Sequence, residues 1–305
     1  MVLMKRGMGA RLVVWLATLY RRMPVKPLNK WLARAYREYL NSGNGHSLVI
    51  KNIDGINYEL DLREAIDYAM YVSGSREPET TRALKRLCKP GDVVFDIGAN
   101  VGSHTLPIAS YVGSDGKVYA FEPVPWAINR MSRNVELNTF ANLVLEPIAL
   151  SDVNEEKEMK FRVSFKIGSK SGVGKDGKID GSWWDECEQV RVRLEKLDDY
   201  VASHEINRLD LIKLDVDGFE GKVIRGGLQT LKRFLPDIIM EVAPAWTEMR
   251  GDDVRDILKM LQTLGYAFYQ EGDFRPIDNL SERIAALPSE GGFNILASVR
   301  KLEQG

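Results

Sequence analysis

The chain opens on two short apolar stripes. Leu12, Trp15, Leu16 and Leu19 recur at helical spacing, with Arg11, Thr18 and Arg22 elsewhere on the wheel. Pro24 and Pro27 break that helix, and a second begins near Leu28, carrying Trp31, Leu32, Ala35, Tyr39 and Leu40. After the linker Asn41-Ser42-Gly43-Asn44-Gly45 the period changes from helical to alternating. Ser47–Ile53, the pair Asp54-Gly55 and Ile56–Leu62, with Ile56, Tyr58, Leu60 and Leu62 alternating, predict a β-hairpin.

From Pro90 onward, buried-type strands alternate with amphipathic helices, the mark of a mostly parallel sheet covered on both faces. Strands are predicted at Val93–Ile97, Lys117–Phe121, Leu143–Glu146, Leu209–Leu214 and Ile238–Val242, with the last two at Tyr266–Tyr269 and Phe293–Val299. Helices are predicted from about Ser103, from Pro125 with Trp126, Ile128, Met131 and Val135, and after Gly218. A further helix is capped by Asp252 or Asp253, carries Val254, Ile257, Leu258 and Leu261, and ends at Gly265. An insertion from Val153 to Ile206, including the Gly/Lys/Ser-rich loop Gly168–Gly181, separates the third strand from the fourth. The expected organisation is a basic helical arm (1–45), a hairpin and lead-in (46–88), and a Rossmann-like α/β domain (89–305) with its insertion at about 153–206.

Charge changes the picture at one end only. Residues 1–40 hold nine basic residues against the single acid Glu38, so they carry +8 and the remainder −9 of a net −1. A basic arm on an acidic body suits an anionic surface. The apolar run Leu12–Tyr20 is too short for a ~30 Å hydrocarbon core. Arg21-Arg22-Met23-Pro24 follows it in place of a small-residue cleavage site, which argues against cleaved secretion. The expectation is a cytoplasmic protein whose arm either lies on the inner face of the membrane or packs on protein. Cys88 and Cys187, with the scattered His46, His104 and His204, form no pattern for a disulfide framework or a Cys/His metal centre.

The candidate chemistry gathers around Asp96-Ile97-Gly98-Ala99-Asn100-Val101-Gly102-Ser103, where a buried strand enters a glycine-rich turn and then a helix. Glycines there let a ligand lie against the backbone in front of a helix N-terminus. Asp96 stands two residues before the first glycine, where a pyrophosphate would meet negative charge. Glu122 ends the next strand, where a carboxylate accepts hydrogen bonds from both hydroxyls of a ribose. A cofactor with a cationic amino-acid end and a ribose but no phosphate satisfies both, and S-adenosylmethionine is such a molecule. Ala149-Leu150-Ser151-Asp152 follows the third strand; Asp152 is either an acceptor for the adenine amine or a turn residue.

With these segments in place, the chain resembles the FkbM-type methyltransferases over roughly Asp61 to Val299. The likeness rests on Gly74 with Glu77-Pro78-Glu79-Thr80, on Lys89-Pro90-Gly91-Asp92, on Asp96–Gly102 and on Phe121-Glu122-Pro123. Further along it rests on Ala149–Asp152, Leu197-Asp198-Asp199 and Ile212-Lys213-Leu214-Asp215-Val216-Asp217-Gly218-Phe219-Glu220. The resemblance implies a class I methyltransferase fold and O-methylation, often of sugar or natural-product hydroxyls. It implies cofactor contacts from Glu77, Asp96, Gly98, Asn100, Gly102, Glu122, Pro123, Ser151, Asp152 and Asp215. Asp217 stands where the family more often has Glu, and His104 where it often has an aromatic residue, which bears on the acceptor side.

A hydroxyl acceptor gains from a general base. Asp215 and Glu241 end the fourth and fifth strands, at the edge where open α/β sheets place their ligands, and His104 is a third candidate. Asp217 and Glu220 are candidates for the acceptor side, or cap the following helix, or pair with Lys213 or Lys222. With Asp215 and Glu241 they are also hard-oxygen ligands for Mg²⁺, a reading ranked below the others, so no metal is assigned. Trp183-Trp184 in the insertion is either a platform for a sugar ring or loop packing. The expected acceptor is a carbohydrate or glycolipid, with no nucleic-acid partner. Three rivals remain: a nicotinamide oxidoreductase, which would usually show a third glycine and no Asp96; a methyltransferase of another small molecule or of nucleic acid; and a non-catalytic scaffold on a relic fold, against which the intact set of acidic residues argues. Against a base methylator, Asp215-Val216-Asp217-Gly218 replaces the Pro-Pro-aromatic motif of amino-group methylators, and neither cysteine is placed as a nucleophile.

Overall fold

A computed structural model describes residues 48–162, 187–288 and 291–303. The chain divides into two compact units, the second beginning at Glu77. The basic arm, the Gly168–Gly181 stretch and Trp183-Trp184 lie outside the described residues.

In the first unit, β1 (Leu48–Ile53) and β2 (Ile56–Asp61) pair antiparallel with Ile53 opposite Ile56. Asp54 and Gly55 both have left-handed φ, 50° and 88°, as a two-residue hairpin turn demands. β2 buries Ile56, Tyr58 and Leu60, while Leu48 and Ile50 of β1 are exposed. Helix α1 (Ala65–Ser73) stops at Gly74, whose N–H donates to the Met70 carbonyl.

The second unit runs α2 (Pro78–Leu87), β3 (Val93–Ile97), α3 (Thr105–Val112), β4 (Lys117–Phe121), α4 (Pro125–Glu136), β5 (Leu143–Glu146), β6 (Ala149–Ser151), β7 (Glu155–Arg162) and β8 (Cys187–Lys196). It continues with α5 (Leu197–Ser203), β9 (Leu211–Leu214), α6 (Glu220–Gly226), α7 (Leu228–Phe234), β10 (Asp237–Val242) and α8 (Pro244–Met249). Then come α9 (Val254–Thr263), β11 (Ala267–Gln270), α10 (Leu280–Ala285) and β12 (Phe293–Ser298). Seven strands form one sheet in the order β11-β12-β10-β9-β3-β4-β5. β3, β4, β5, β9 and β10 are parallel, and β12 lies antiparallel between β10 and β11.

Strand alternation sorts the core onto two faces. Phe95, Ile97, Ile212, Leu214, Ile238 and Met240 pack against residues of α5, α6, α7 and α9, including Tyr200, Val223, Leu231 and Leu258. Val94, Val118, Leu211 and Ile239 point the other way, onto Ala83, Leu84 and Leu87 of α2 and Ile108 and Val112 of α3. The Rossmann-like sheet expected from the apolar runs is therefore present, and Asp253 is the helix cap of α9, accepting from the Arg255 N–H at 2.7 Å. Helix α2 packs inside this unit, so the unit starts earlier than the Lys89 boundary read from the strand pattern.

The insertion holds structure that the apolar pattern did not announce. β6, β8 and β7 form a separate three-stranded sheet in that order. β7 reads Glu-Glu-Lys-Glu-Met-Lys-Phe-Arg, so its pairing with β8 is written in charges, such as Arg191 to Glu156 at 2.7 Å, and not in hydrophobic alternation. Among the described residues no helix is long and apolar enough to cross a membrane.

Candidate functional site

The same alternation places the acidic residues. On the face covered by α2 and α3, Asp96 follows Val94 in β3, and Lys213 follows Leu211 in β9. Asp96 and Lys213 are register partners on adjacent parallel strands. One step beyond the Met240–Leu214 pair lie Glu241 and Asp215, at the C-terminal edge of the sheet. Lys213 is buried, and its ammonium sits 3.8 Å from Asp96 Oδ1 and 3.2 Å from Asp215 Oδ2. Burial opposes its charge, but Asp215, Asp96 and Glu77 outweigh that and raise its pKa. Lys213 was weighed from the sequence only as a partner for Asp217 or Glu220. The signal for its real role was its parity with Asp96.

Between β3 and α3 the turn is set by backbone. The N–H groups of Gly98 and Ala99 both donate to the Phe121 carbonyl, at 3.0 and 3.1 Å. Gly98, Asn100 and Gly102 have φ of 83°, 51° and 85°. A Cβ on Gly98 would lie 1.8 Å from the Asp215 carbonyl oxygen, so this glycine is required by a neighbouring strand end. This requirement adds to the ligand approach expected from the sequence. Gly102 instead faces side chains, Leu106 and Met131, at 2.7 and 2.9 Å from such a Cβ.

Glu122, 6% exposed, accepts from the Asn100 N–H at 2.9 Å and the Val124 N–H at 2.8 Å, one on each carboxylate oxygen. Burial pushes its pKa up to about 7 against the pull of these two bonds. Each oxygen keeps a lone pair for a further donor. Asp96 accepts from the Thr105 hydroxyl at 2.6 Å through Oδ2. His104 Nε2 meets Glu77 Oε2 at 3.1 Å; with the proton assigned to Nε2, its other nitrogen is an acceptor.

Among the described residues, the buried side-chain atoms without a hydrogen-bond partner are Asp96 Oδ1, Asn100 Oδ1 and His104 Nδ1. All three belong to one nine-residue segment, and all three are acceptors. Such a lining suits a ligand that brings donors, as an ammonium and a ribose diol do, and it offers nothing to a pyrophosphate. The residues present therefore fit S-adenosylmethionine, and they disfavour the nicotinamide-dependent alternative.

Ser151 is buried at the end of β6. Asp152 accepts from Arg225 Nε at 3.0 Å, and the same guanidinium binds Asp252 at 2.6 Å. Asp152 is thus held by α6 and not by a turn of its own, while Pro123 borders Glu122 half-buried. Asp215, Asp217 and Glu241 offer carboxylate oxygens within 4.8 Å of one another. Asp217 is exposed with φ 50°, projecting from the loop after β9. Glu220 is different: it is 2% exposed and receives the Val216 and Gly218 N–H groups at 3.0 and 3.4 Å. Glu220 therefore ties down the loop that precedes α6, and its side chain does not cap that helix. Burial pushes its pKa up to about 7. Cys88 is buried and its thiol pushed up to about 12, which leaves it unreactive.

A sheet of this strand order, with an acidic turn after its central strand and a carboxylate ending the next, defines a class I S-adenosylmethionine-dependent methyltransferase. Residues 96–268 match the family described as Methyltransferase FkbM domain, and the chain belongs to that family. It is 28% identical over 180 residues to the 2-O-methyltransferase NoeI of Sinorhizobium fredii, covering 53% of this chain and 70% of NoeI. It is 22% identical over 238 residues to the hexuronic acid methyltransferase AglP of Haloferax volcanii, covering 78% of this chain and 87% of AglP. The 31-O-demethyl-FK506 methyltransferase FkbM of Streptomyces tacrolimicus is 28% identical over 160 residues, covering 45% of this chain and 60% of its own. Among solved structures, a methyltransferase FkbM from Methylobacillus flagellatus overlays with a TM-score of 0.40 at 12% identity, covering 77% of this chain and 56% of that one.

Proposed function

We propose that the protein moves a methyl group from S-adenosylmethionine to a hydroxyl of a sugar, glycolipid or related natural product. The observation that carries this is the convergence of Asp215, Asp217 and Glu241 within 4.8 Å at the strand ends, with Asp215 backed by Lys213 beside the turn. In this reading Glu122 accepts from the ribose hydroxyls and Ser151 and Asp152 border the adenine. Asp96, Asn100 and Asp215 face the amino-acid end. When bound, the cofactor supplies a methyl carbon activated by its sulfonium. Asp215 would take the hydroxyl proton and Glu241 would share the approach of the acceptor, while the methyl–sulfur bond breaks as the carbon–oxygen bond forms and S-adenosylhomocysteine leaves. The relatives named for a 2-O-methyltransferase, a hexuronic acid and a 31-O position support a hydroxyl acceptor.

Mass spectrometry of a glycan and glycolipid panel incubated with enzyme and S-adenosylmethionine tests this directly. A +14 Da product expected from one added methylene supports it, and no product together with no cofactor binding refutes it. The same carboxylates are hard ligands for Mg²⁺, and the assay separates that second reading: turnover that survives EDTA removes the metal. The basic arm, residues 1–40, is proposed to hold the protein on an anionic membrane surface on the cytoplasmic side. Flotation with anionic but not neutral liposomes, lost when residues 1–41 are removed, is the expected result.

A further inference from the structure

A cavity of about 580 Å³ opens at the same end of the second unit, where the ends of β10 and β11 meet the start of β12. Its size is that of a small-molecule site. Glu77, the N-cap of α2, and Glu241 line it, so it shares residues with the site above.

Its charges are layered. Glu77, Glu241 and Glu271 are half-buried, whereas the arginines in the wall are exposed. Those arginines already have partners: Arg82 lies 3.7 Å from Glu79 and Arg275 2.5 Å from Asp273, and Arg283 sits over the Phe293 ring at 4.1 Å. Glu271 is held from behind by the buried Thr80 hydroxyl at 2.8 Å, and Asn294 donates to that hydroxyl at 2.9 Å. Burial, with Glu77 and Glu79 nearby, raises the Glu271 pKa. Glu77 is held likewise by the buried His104. The cavity is thus an acceptor-rich floor of carboxylates under a rim of exposed arginines, two of them paired with acids and the third over the Phe293 ring. Hydroxyl and amino groups donate to such a floor, while an anion there meets three carboxylates in a half-buried setting.

We propose that this cavity is the acceptor subsite, and that it takes a polyhydroxylated ring, neutral or amino-bearing, whose donors point at Glu77, Glu241 and Glu271, while it rejects the same ring carrying a carboxylate. This rests on the methyltransfer reading above and adds its substrate class. The acceptor platform expected at Trp183-Trp184 falls outside the described residues, so the cavity stands on its own lining.

The test uses full-length protein saturated with S-adenosylhomocysteine and three probes: methyl glucoside, methyl glucosaminide and methyl glucuronide. Saturation-transfer NMR is expected to show the first two bound and the third not. Glu271→Gln keeps an oxygen for Thr80; it is expected to weaken binding of the first two probes about tenfold and to leave S-adenosylhomocysteine affinity unchanged. Gly272→Leu gives an independent variant, because a Cβ there meets nothing closer than Glu79 at 3.7 Å. It fills the cavity mouth and is expected to weaken the same probes with the same cofactor affinity. Binding of the glucuronide ahead of the others, or of no probe, overturns the proposal. So does probe binding unchanged in both variants, while intact cofactor affinity leaves the methyltransfer reading standing. Wild-type protein that binds no S-adenosylhomocysteine fails that earlier reading instead.

Discussion

The turn after β3 and the edge formed by β10, β11 and β12 lie in one sheet but are built on different principles. At the turn, positions are set by main chain against main chain: Gly98 against the Asp215 carbonyl, and Glu122 clasped by two N–H groups. At the edge, side chains hold side chains: Thr80 holds Glu271, Asn294 holds Thr80, and exposed arginines pair with neighbouring acids. A backbone lock admits few substitutions, whereas a side-chain network can be rewritten one residue at a time. Under the proposed function, the first half would keep a constant cofactor and the second would adapt to an acceptor.

The sharpest way to break this comparison is a pair of glycine substitutions. Gly98→Val places a Cβ 1.8 Å from a carbonyl oxygen at a φ of 83°, and should abolish S-adenosylhomocysteine binding with several kcal/mol of lost stability. Gly272→Ala, on the edge, should leave melting temperature and cofactor affinity within error. Equal damage from both, by calorimetry and thermal melting, would end the distinction.

Asp215→Asn comes next. As base, its loss should cut kcat about 100-fold or more, a larger loss than that in cofactor affinity. Loss of affinity in step with turnover would move Asp215 wholly to the cofactor side. Glu122→Ala should weaken S-adenosylhomocysteine about 10- to 100-fold, as expected for removing a charged acceptor, with acceptor-probe binding unaffected.

The smallest effect is a pH dependence. Burial raises the Glu122 pKa to about 7, so the carboxyl is mostly protonated at pH 6 and mostly ionised at pH 8. The ionised form is the better acceptor for two hydroxyls, so cofactor affinity should rise about tenfold between those values. Stability runs the opposite way. A carboxyl whose pKa is raised on folding contributes fully below its unfolded value and loses that contribution as pH climbs through about 7. Calorimetric titrations on wild type and Glu122→Gln check the first trend: the variant should flatten it, and a slope unchanged in the variant assigns it elsewhere.

Much of the strand–turn–strand around Gly98 was legible because its signals are local. The strand Val93–Ile97, the glycines after it and the carboxylate ending β4 are read within thirty residues of chain. The hairpin was equally plain, since Asp54-Gly55 carries its turn geometry in two residues. Less visible was Lys213, whose meaning depends on facing Asp96 across a strand pair that 117 positions of sequence separate. Glu220 carries the same letter as a catalytic acid, and only the direction of the Val216 and Gly218 N–H groups shows that it holds the loop before α6. The cavity was hidden for the same reason: Glu77, Glu241, Glu271 and Asn294 share no segment and meet only when the edge strands close.

The placement of β12 between β10 and β11 has a consequence for how the molecule comes into being. On a ribosome, β3, β4, β5, β9 and β10 are made first and form a contiguous parallel set. β11 is made next, yet within the seven-stranded sheet its one neighbour is β12, so it must wait for residues 293–298 before it can dock. That long-range insertion is the slow kind of step in sheet assembly. The parallel strands are therefore made before β11 can pair, and Glu271, one residue past β11, finds its place only once residues 293–298 have followed it.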